Sequence, residues 1–505
     1  MTDRAPCLLG LDIGLTVTKA VVFDAAGTAL AVARRRVPQI MPAPRHVERD
    51  MRVLWRASAE AMAEAVAASG AADRIAGVGV SAHGDGVYPV DADGAPLGNG
   101  VLSLDSRAGG VVAGWEGDGT AAAALERSGQ MPHASAPSAL LAWMKTAAPE
   151  RFARIGHVLA CKDWLRLCLT GTIGTDLTEA STSFTNVRTQ EYDTDILRLY
   201  GLGALAPALP EISAPHDVVG SLTAPAARAC GLRAGLPVVA GVHDVTASSL
   251  GVGGYGEGRA TLVAGTYSIN ETVSAAPKVD ARWFCRNGLR RGAWNNMAIS
   301  PASAANYDWV LDTLCATDRA AQGDALHATL AAEIEAARAR PAGVMFHPYL
   351  FGSPHGPGAS AGFLGLRGWH GRGDMLRALI EGIAFNHRLH LDALRDGFAI
   401  TALHLTGGIS NNPVHAQVFA DALGLPLSVA DVPEPAAWGA ALCAGAGVGL
   451  FDSPVAGAQA APTRTYTPET VQTAALDARY RLHLEIAEAL APVWPKLDAL
   501  EGGNA

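Results

Sequence analysis

Leu8 to Leu11 is a short apolar run that stops at Asp12-Ile13-Gly14, and Ala20 to Phe23 is a second, closed by Asp24-Ala25-Ala26-Gly27. Leu30 to Ala33 opens a third. Brief apolar runs parted by Gly and Asp read as strands joined by hairpin turns. The period then changes. Across Val53 to Ser69, Trp55, Met62 and Val66 share one face, Glu60 and Glu64 take the other, and Gly70 supplies a stop, which predicts a helix. Ile75 to Val80 is the next buried strand and runs into Ser81-Ala82-His83-Gly84-Asp85-Gly86. Helical segments at Ser138–Thr146 and Trp164–Leu169 alternate with polar turns. Leu236 to Gly241 is an apolar strand leading to His243 and Asp244. Ala260 to Ala264 is another, leading to Gly265-Thr266-Tyr267-Ser268 and then to a strand over Asn270–Ala275.

The last third repeats this α/β grammar. Met375 to His387 predicts a helix with Asp374 as its N-cap. Ala402 to Leu405 predicts a strand, followed by the turn Thr406-Gly407-Gly408-Ile409-Ser410-Asn411. Val414, Val418, Phe419 and Ala422 then line one helical face, with Asn412 as N-cap, Pro413 at the first helical position and Gly424 as the stop. The Pro- and Ala-rich stretch 453–465 predicts a surface excursion. Leu9–Val21 and Ala260–Thr272 can be overlaid so that Gly14 falls on Gly265. Either two hairpins are alike by chance, or the chain carries two similar domains divided near residue 250.

Composition narrows the function classes. The 505 residues are 49% hydrophobic and 17% charged, enough apolar matter for a large core and against disorder. Lys and Arg number 39 against 48 Asp and Glu, a formal net charge of −9, which argues against a nucleic-acid binder. Mean hydropathy is +0.17. Even so, every apolar run breaks well before the roughly 20 residues that span a bilayer, so no membrane segment is expected. Met1 to Cys7 has neither the basic start nor the apolar core of a leader. The seven cysteines are scattered and form no C-x-x-C pair, which predicts free buried thiols in a reducing cytoplasm.

Three glycine turns each follow a predicted strand: Gly14-Leu15-Thr16, Gly265-Thr266 and Gly407-Gly408. Glycine lets backbone approach a phosphate closely, and neighbouring N–H and hydroxyl groups can hold its oxygens. None is a G-x-x-x-x-G-K-[ST] loop, and no G-x-G-x-x-G opens a dinucleotide unit. Asp12, at a strand end, suits either a turn or a carboxylate holding Mg²⁺. Asp244, at the mouth of a core strand, suits either a helix N-cap for Thr246–Leu250 or a base taking a hydroxyl proton. Asp85, between Gly84 and Gly86, and Asp105, before Arg107, suit either turn chemistry or the hydroxyls of a sugar. No nucleophile elbow or zinc-protease motif is present, and the histidines, His347, His355, His387 and His390 among them, have no coherent ligand spacing.

Together these segments resemble the FGGY carbohydrate kinases over essentially the whole chain. The signposts are Gly10-Leu11-Asp12-Ile13-Gly14 with Lys19, Gly79 to Gly86, Leu104-Asp105-Ser106-Arg107, Lys162-Asp163-Trp164-Leu165 with Thr175-Asp176, Gly241-Val242-His243-Asp244, Gly265-Thr266, Thr406-Gly407-Gly408 through Asn411, and Trp438-Gly439-Ala440-Ala441. The resemblance implies an α/β fold of two ribonuclease-H-like domains, as in the actin and hexokinase superfamily, with an interdomain cleft. Residues 1–250 would bind sugar and supply the first phosphate loop and catalytic Asp; residues 251–505 would bind nucleotide. It further implies Asp244 as general base and Asp12 as the carboxylate near Mg²⁺. Gly14, Thr16, Thr18, Lys19, Gly265, Thr266, Gly407, Gly408 and Asn411 would hold ATP, and Gly84, Asp85, Asp105 and Asp244 the sugar.

The implied reaction moves the γ-phosphate of ATP to a terminal hydroxyl of a small sugar, a pentulose such as L-xylulose or, alternatively, a polyol such as erythritol. Cytoplasmic location is expected from the cysteines alone, and the resemblance adds a possible homodimer, since dimers are common in the family. Leu15 stands where many members carry a hydroxyl, which is the one feature favouring a catalytically silent sugar- and nucleotide-binding protein instead. Asp85 replaces a His, and His83 a Gln, of D-xylulose kinases; both changes weigh against D-xylulose. An actin-like nucleotide switch would need no acid at the sugar position, and Asp85, Asp105 and Asp244 count against it.

Overall fold

The computed structural model describes residues 5–341, 343–356, 358–458 and 463–500. The leader reading for residues 1–4 therefore lies outside the described residues, as do 459–462 of the Pro- and Ala-rich stretch. Two compact units form. The first comprises Met1–Tyr255, Val273–Asn296 and Asp431–Pro462; the second comprises Gly256–Thr272, Met297–Ala430 and Thr463–Ala505. One cut after residue 250 does not separate them, because the chain re-enters the first unit twice.

The first unit is built on a seven-stranded mixed sheet. Its order is Val218–Ser221, Pro237–Val239, Ile75–Ala82, Cys7–Ile13, Val17–Asp24 and Ala29–Arg36, with Val242–His243 also paired to Ile75–Ala82. The three N-terminal runs form the expected antiparallel strands, and Cys7–Ile13 is buried throughout because strands pair both its edges and side chains and a helix pack on its two faces. The helix Met51–Ser69 ends at Gly70 in the left-handed conformation (φ 59°), where a residue without Cβ carries no steric cost.

The helix Pro435–Gly447 explains the second re-entry. It is apolar all round and lies on the strands Cys7–Ile13 and Ile75–Ala82. Gly10 and Gly79 are register partners in those strands, and a Cβ on either would lie 1.9 Å from a carbonyl oxygen of this helix, that of Ala437 or Ala440. On its other side Gly439 meets the Ala247 carbonyl oxygen, again at 1.9 Å. Backbone thus packs on backbone. Gly10→Ala is expected to destabilise the protein by about 3 kcal/mol, the upper range for overpacking, read as a lower urea midpoint. An unchanged midpoint would show that the helix is free to move away.

In the second unit the sheet runs Ser268–Ser274, Arg259–Ala264, Ala402–Thr406, Leu427–Ala430, Thr463–Tyr466. Arg259–Ala264 and Ser268–Ser274 are antiparallel, and Ala402–Thr406 pairs parallel with the former. The first unit has the same arrangement in Cys7–Ile13, Val17–Asp24 and Ile75–Ala82. Both hairpins turn through three residues, 14–16 and 265–267. The helix Pro413–Leu423 has the expected Asn412 cap, which accepts the Val414 N–H, and the Gly424 stop.

Two local expectations are refined. The helix expected from Met375 spans Arg372–Gly397, and Asp374 lies in its third position, where its carboxylate accepts the Gly371 N–H. A carboxylate at this position accepts the N–H of the N-cap residue, whereas an N-cap side chain accepts that of the second or third helical residue; both serve unpaired first-turn donors, which is why the two are easily exchanged in sequence. The 453–465 stretch lies largely at the surface, as expected, but takes regular structure where it is described: Pro454–Gly457 is a short helix with its two ends buried and Ala456 exposed, and Thr463–Tyr466 is a mostly exposed strand that extends the second sheet. All seven cysteines are free thiols. Among the described residues no helix is long and apolar enough to cross a membrane.

Candidate active site

The first unit's sheet gathers three of the singled-out turns at one edge. Ile13 and His243 are both in register with Ala82, so Gly14–Thr16, His83–Gly86 and Asp244 all follow strand ends there. Asp244 is the first residue of the helix Asp244–Gly251, and His243 takes the N-cap position. Asp244 is therefore one step inside the helix instead of capping it, at a point where the helix dipole favours a negative charge. Its side chain is 29% exposed, and its Oδ1 lies 3.6 Å from His243 Nδ1. Burial, assisted by the Arg286 charge, pulls His243 down to about 3. That ring is neutral and a poor base near pH 7.

A buried chain of bonds fixes the backbone just before Asp244. Lys162 is fully buried, with Nζ 2.6 Å from Asp163 Oδ1 and 2.7 Å from Asp176 Oδ1. Burial opposes its charge, but the two carboxylates outweigh this and raise its pKa. Asp176 Oδ2 accepts the Thr178 N–H (2.8 Å) and hydroxyl (2.6 Å), and Thr178 Oγ1 in turn accepts the His243 N–H (3.0 Å). Gly84 lies under the His243 ring, where a Cβ would meet Nε2 at 1.8 Å. A cavity of ≈ 30 Å³ opens beside Asp163, Thr175 and Glu179, room for water and too small for a sugar. Both Glu179 carboxyl oxygens are buried without a hydrogen-bond partner, and burial raises its pKa well above the usual range.

Asp85 has φ 57°, a left-handed backbone that is rare for a residue with a side chain. Its carboxylate accepts Arg286 Nη2 at 3.0 and 3.3 Å and lies 3.5 Å from His133 Nε2. Burial alone would raise its pKa; Arg286 and His133 instead hold it well below the usual carboxylate range. His83 faces inward, with Nε2 3.2 Å from the Tyr88 hydroxyl. Asp105 differs from its expected role. It is completely buried, and its two oxygens already accept the Val47 N–H and the Arg107 N–H, Nε and Nη2. It organises its own loop and presents no free oxygen to a sugar.

The first glycine loop is tied from inside. Buried Arg49 donates Nη1 to the Gly14 carbonyl (3.3 Å) and Nη2 to that of Leu15, which also accepts Gln39 Nε2 at 3.0 Å. Thr16 is exposed. Thr18 is not: its hydroxyl is enclosed in the strand packing, so it does not reach a ligand in this conformation. Lys19 is already paired, with Nζ 2.8 Å from Glu434 and 4.0 Å from Asp12. Asp12 accepts the Ser81 hydroxyl at 3.0 Å, and burial raises its pKa against the pull of Lys19 and Ser81. No group of three metal-ligating side chains occurs among the described residues. A lone carboxylate still fits Mg²⁺, which takes one or two carboxylates and draws its other oxygens from phosphate and water.

In the second unit Gly265–Tyr267 and Gly407–Asn411 adjoin. Gly407 has φ 95° and lies on the Ala264–Gly265 peptide, where a Cβ would come within 2.5 Å of the Ala264 oxygen. Nothing lies within 4 Å of the Cβ directions of Gly265 and Gly408, and Thr266, Gly408 and Asn411 are exposed. The Gly265 carbonyl accepts the N–H of Ala304, at the head of the helix Ala304–Thr313. Neutral, buried His387 bridges Asn270 Oδ1 (2.8 Å) and Ser303 Oγ (3.0 Å), holding the elements on either side of this loop.

Residues 7–251 match the N-terminal domain of the FGGY family of carbohydrate kinases, and residues 260–448 match its C-terminal domain. This chain belongs to that family. It is 31% identical over 495 residues to the L-xylulose/3-keto-L-gulonate kinase of Escherichia coli (strain K12), covering 95% of this chain and 97% of that one. It is 30% identical over 534 residues to the erythritol kinase of Brucella abortus (strain 2308), covering 98% and 99%. Among solved structures, the xylulose kinase from Rhodospirillum rubrum matches with a TM-score of 0.87 at 29% identity, covering 97% and 99% of the two chains.

As an FGGY kinase the protein is a phosphotransferase with an alcohol acceptor. Three residues around Asp85 in this kinase escape sequence reasoning: Arg286, His133 and Gln130. Arg286 Nε donates to Gln130 Oε1 at 2.9 Å, and Gln130 Nε2 to the Ser181 carbonyl at 2.7 Å. Arg286 carries no local signal that sets it apart: it stands in the short strand Phe284–Asn287 between other arginines, Arg282 before it and Arg290 and Arg291 after it.

Proposed function

We propose that this FGGY kinase transfers the γ-phosphate of ATP to a terminal hydroxyl of a pentulose such as L-xylulose, with Asp244 as the base. The observation that carries the reading is Asp244 itself: a partly exposed carboxylate whose backbone is anchored by the buried Lys162–Asp176–Thr178 chain. Phosphoryl transfer asks for positioning and charge stabilisation more than covalent work. Asp244 would orient the acceptor hydroxyl and take its proton, and neutral His243 beside it adds no positive charge that would weaken it as a base. Backbone N–H groups of the Gly14 loop and of the paired Gly265 and Gly407 turns would hold phosphate oxygens, with Thr16, Thr266 and Asn411 as exposed side-chain partners. Asp12 would hold Mg²⁺, which supplies neutralising charge at the phosphates when bound.

L-xylulose as the acceptor draws on the Escherichia coli relative. A polyol is the second reading, favoured by the erythritol kinase match over 98% of the chain. The test is ADP release with Mg-ATP, coupled to NADH loss, across L-xylulose, D-xylulose, D- and L-ribulose, erythritol, D- and L-arabitol, xylitol and glycerol. L-xylulose is expected to give the highest kcat/KM. Erythritol in first place would favour the second reading, and no acceptor-dependent ADP release would overturn both.

A further inference from the structure

Asp85 is held in a conformation that disfavours it. It sits between Gly84 and Gly86 with φ 57°, where glycine would fit without strain. What keeps an acid there is Arg286. The guanidinium is 2% exposed, donates Nε to Gln130 and Nη2 to Asp85, and lies over the Phe284 ring at 4.9 Å. His133 stacks on the same ring and brings its Nε2 to Asp85. A buried guanidinium needs a counter-charge, and Asp85 provides it from the chain. The pair adjoins the reacting end of the unit: Gly84 touches the His243 ring, and Asp244 follows His243.

We infer that Asp85, by neutralising Arg286, makes the acceptor site select uncharged sugars and polyols over sugar acids. An acceptor carboxylate entering here finds the guanidinium already paired and meets the like charges of Asp85 and Asp244. Without Asp85, Arg286 is a buried cation lacking its partner, and a substrate carboxylate is the group that replaces it, because Arg binds carboxylates through paired N–H donors. Residue 85 is thus a charge selector, its effect exerted through Arg286. The inference rests on the proposed sugar-kinase reading and adds to it the charge class of the acceptor.

The test compares wild type, Asp85→Asn and Asp85→Gly for kcat/KM with L-xylulose or erythritol, whichever the panel favours, and with D-gluconate. Asp85→Gly suits the left-handed backbone and guards against a folding failure. Wild type is expected to prefer the neutral acceptor at least 100-fold. Both variants should reduce that ratio at least tenfold through a rise in the D-gluconate value, and Asp85→Gly combined with Arg286→Met should lose the gain. Comparable use of D-gluconate by wild type, or an unchanged ratio in folded variants, would overturn the inference while leaving the kinase reading intact. If wild type turns over neither class, the kinase reading fails separately. Calorimetric titration of D-gluconate then decides: binding that does not tighten tenfold in Asp85→Gly overturns the inference.

Discussion

Asp244→Asn is expected to lower kcat about 10³-fold, the middle of the range for losing a positioned general base, with KM for the acceptor changed only a few-fold. Asparagine keeps the shape of the side chain and can still hydrogen-bond the hydroxyl. What it loses is the negative charge that would accept the proton. Helix stability falls little, because an acid in the first turn contributes only about 0.3–1 kcal/mol. The measurement is steady-state ADP release with matched thermal midpoints for variant and wild type. A variant with near-normal kcat would remove Asp244 from the reaction. A collapse in midpoint would mean that the residue supports the fold instead.

Lys162→Met should produce the largest loss of stability, about 3–5 kcal/mol, the cost of removing one partner from a buried ion pair. Lys162 serves two carboxylates, Asp163 and Asp176, and both it and Asp176 are fully buried. Met fills a similar volume, so the loss reports charge and not a cavity. The same change frees Asp176 to reorient. Because Asp176 holds Thr178, and Thr178 holds the His243 N–H, activity at temperatures where the variant is still folded should fall as well. Unfolding followed by tryptophan fluorescence in urea reads the first effect and kcat at low temperature the second. A midpoint equal to wild type would show that the pair contributes nothing net.

Much of the frame is legible because it is set by neighbours in sequence. A glycine straight after an apolar run announces the Gly14 and Gly265 hairpins, and Asn412, Pro413 and Gly424 bracket a helix by their own conformational preferences. The strand-end position of Asp244 follows from the run Leu236–Ala240. The remainder depends on partners far along the chain. Nothing near Asp85 announces Arg286, 201 positions away, and no local period shows that Gly10 and Gly79 make room for a helix starting at Pro435. Asp105 and Thr18 mislead for the converse reason: residue type and strand-end position match a ligand contact, while an adjacent Arg107 saturates the first and strand alternation turns the second inward.

The helix Pro435–Gly447, laid over Gly10 and Gly79, also bears on how the protein is made. The N-terminal sheet leaves the ribosome early, yet the face that this helix covers stays open until the chain has been extended by nearly two hundred further residues. At about 5–20 residues per second, that interval is about 10–40 s. During it a smooth, glycine-lined apolar surface is exposed to other nascent chains and to chaperones. A fragment ending at Tyr255 never closes that face, so the N-terminal half expressed alone should be an aggregating species, whereas a fragment supplying Asp431–Ala458 in trans should rescue its solubility.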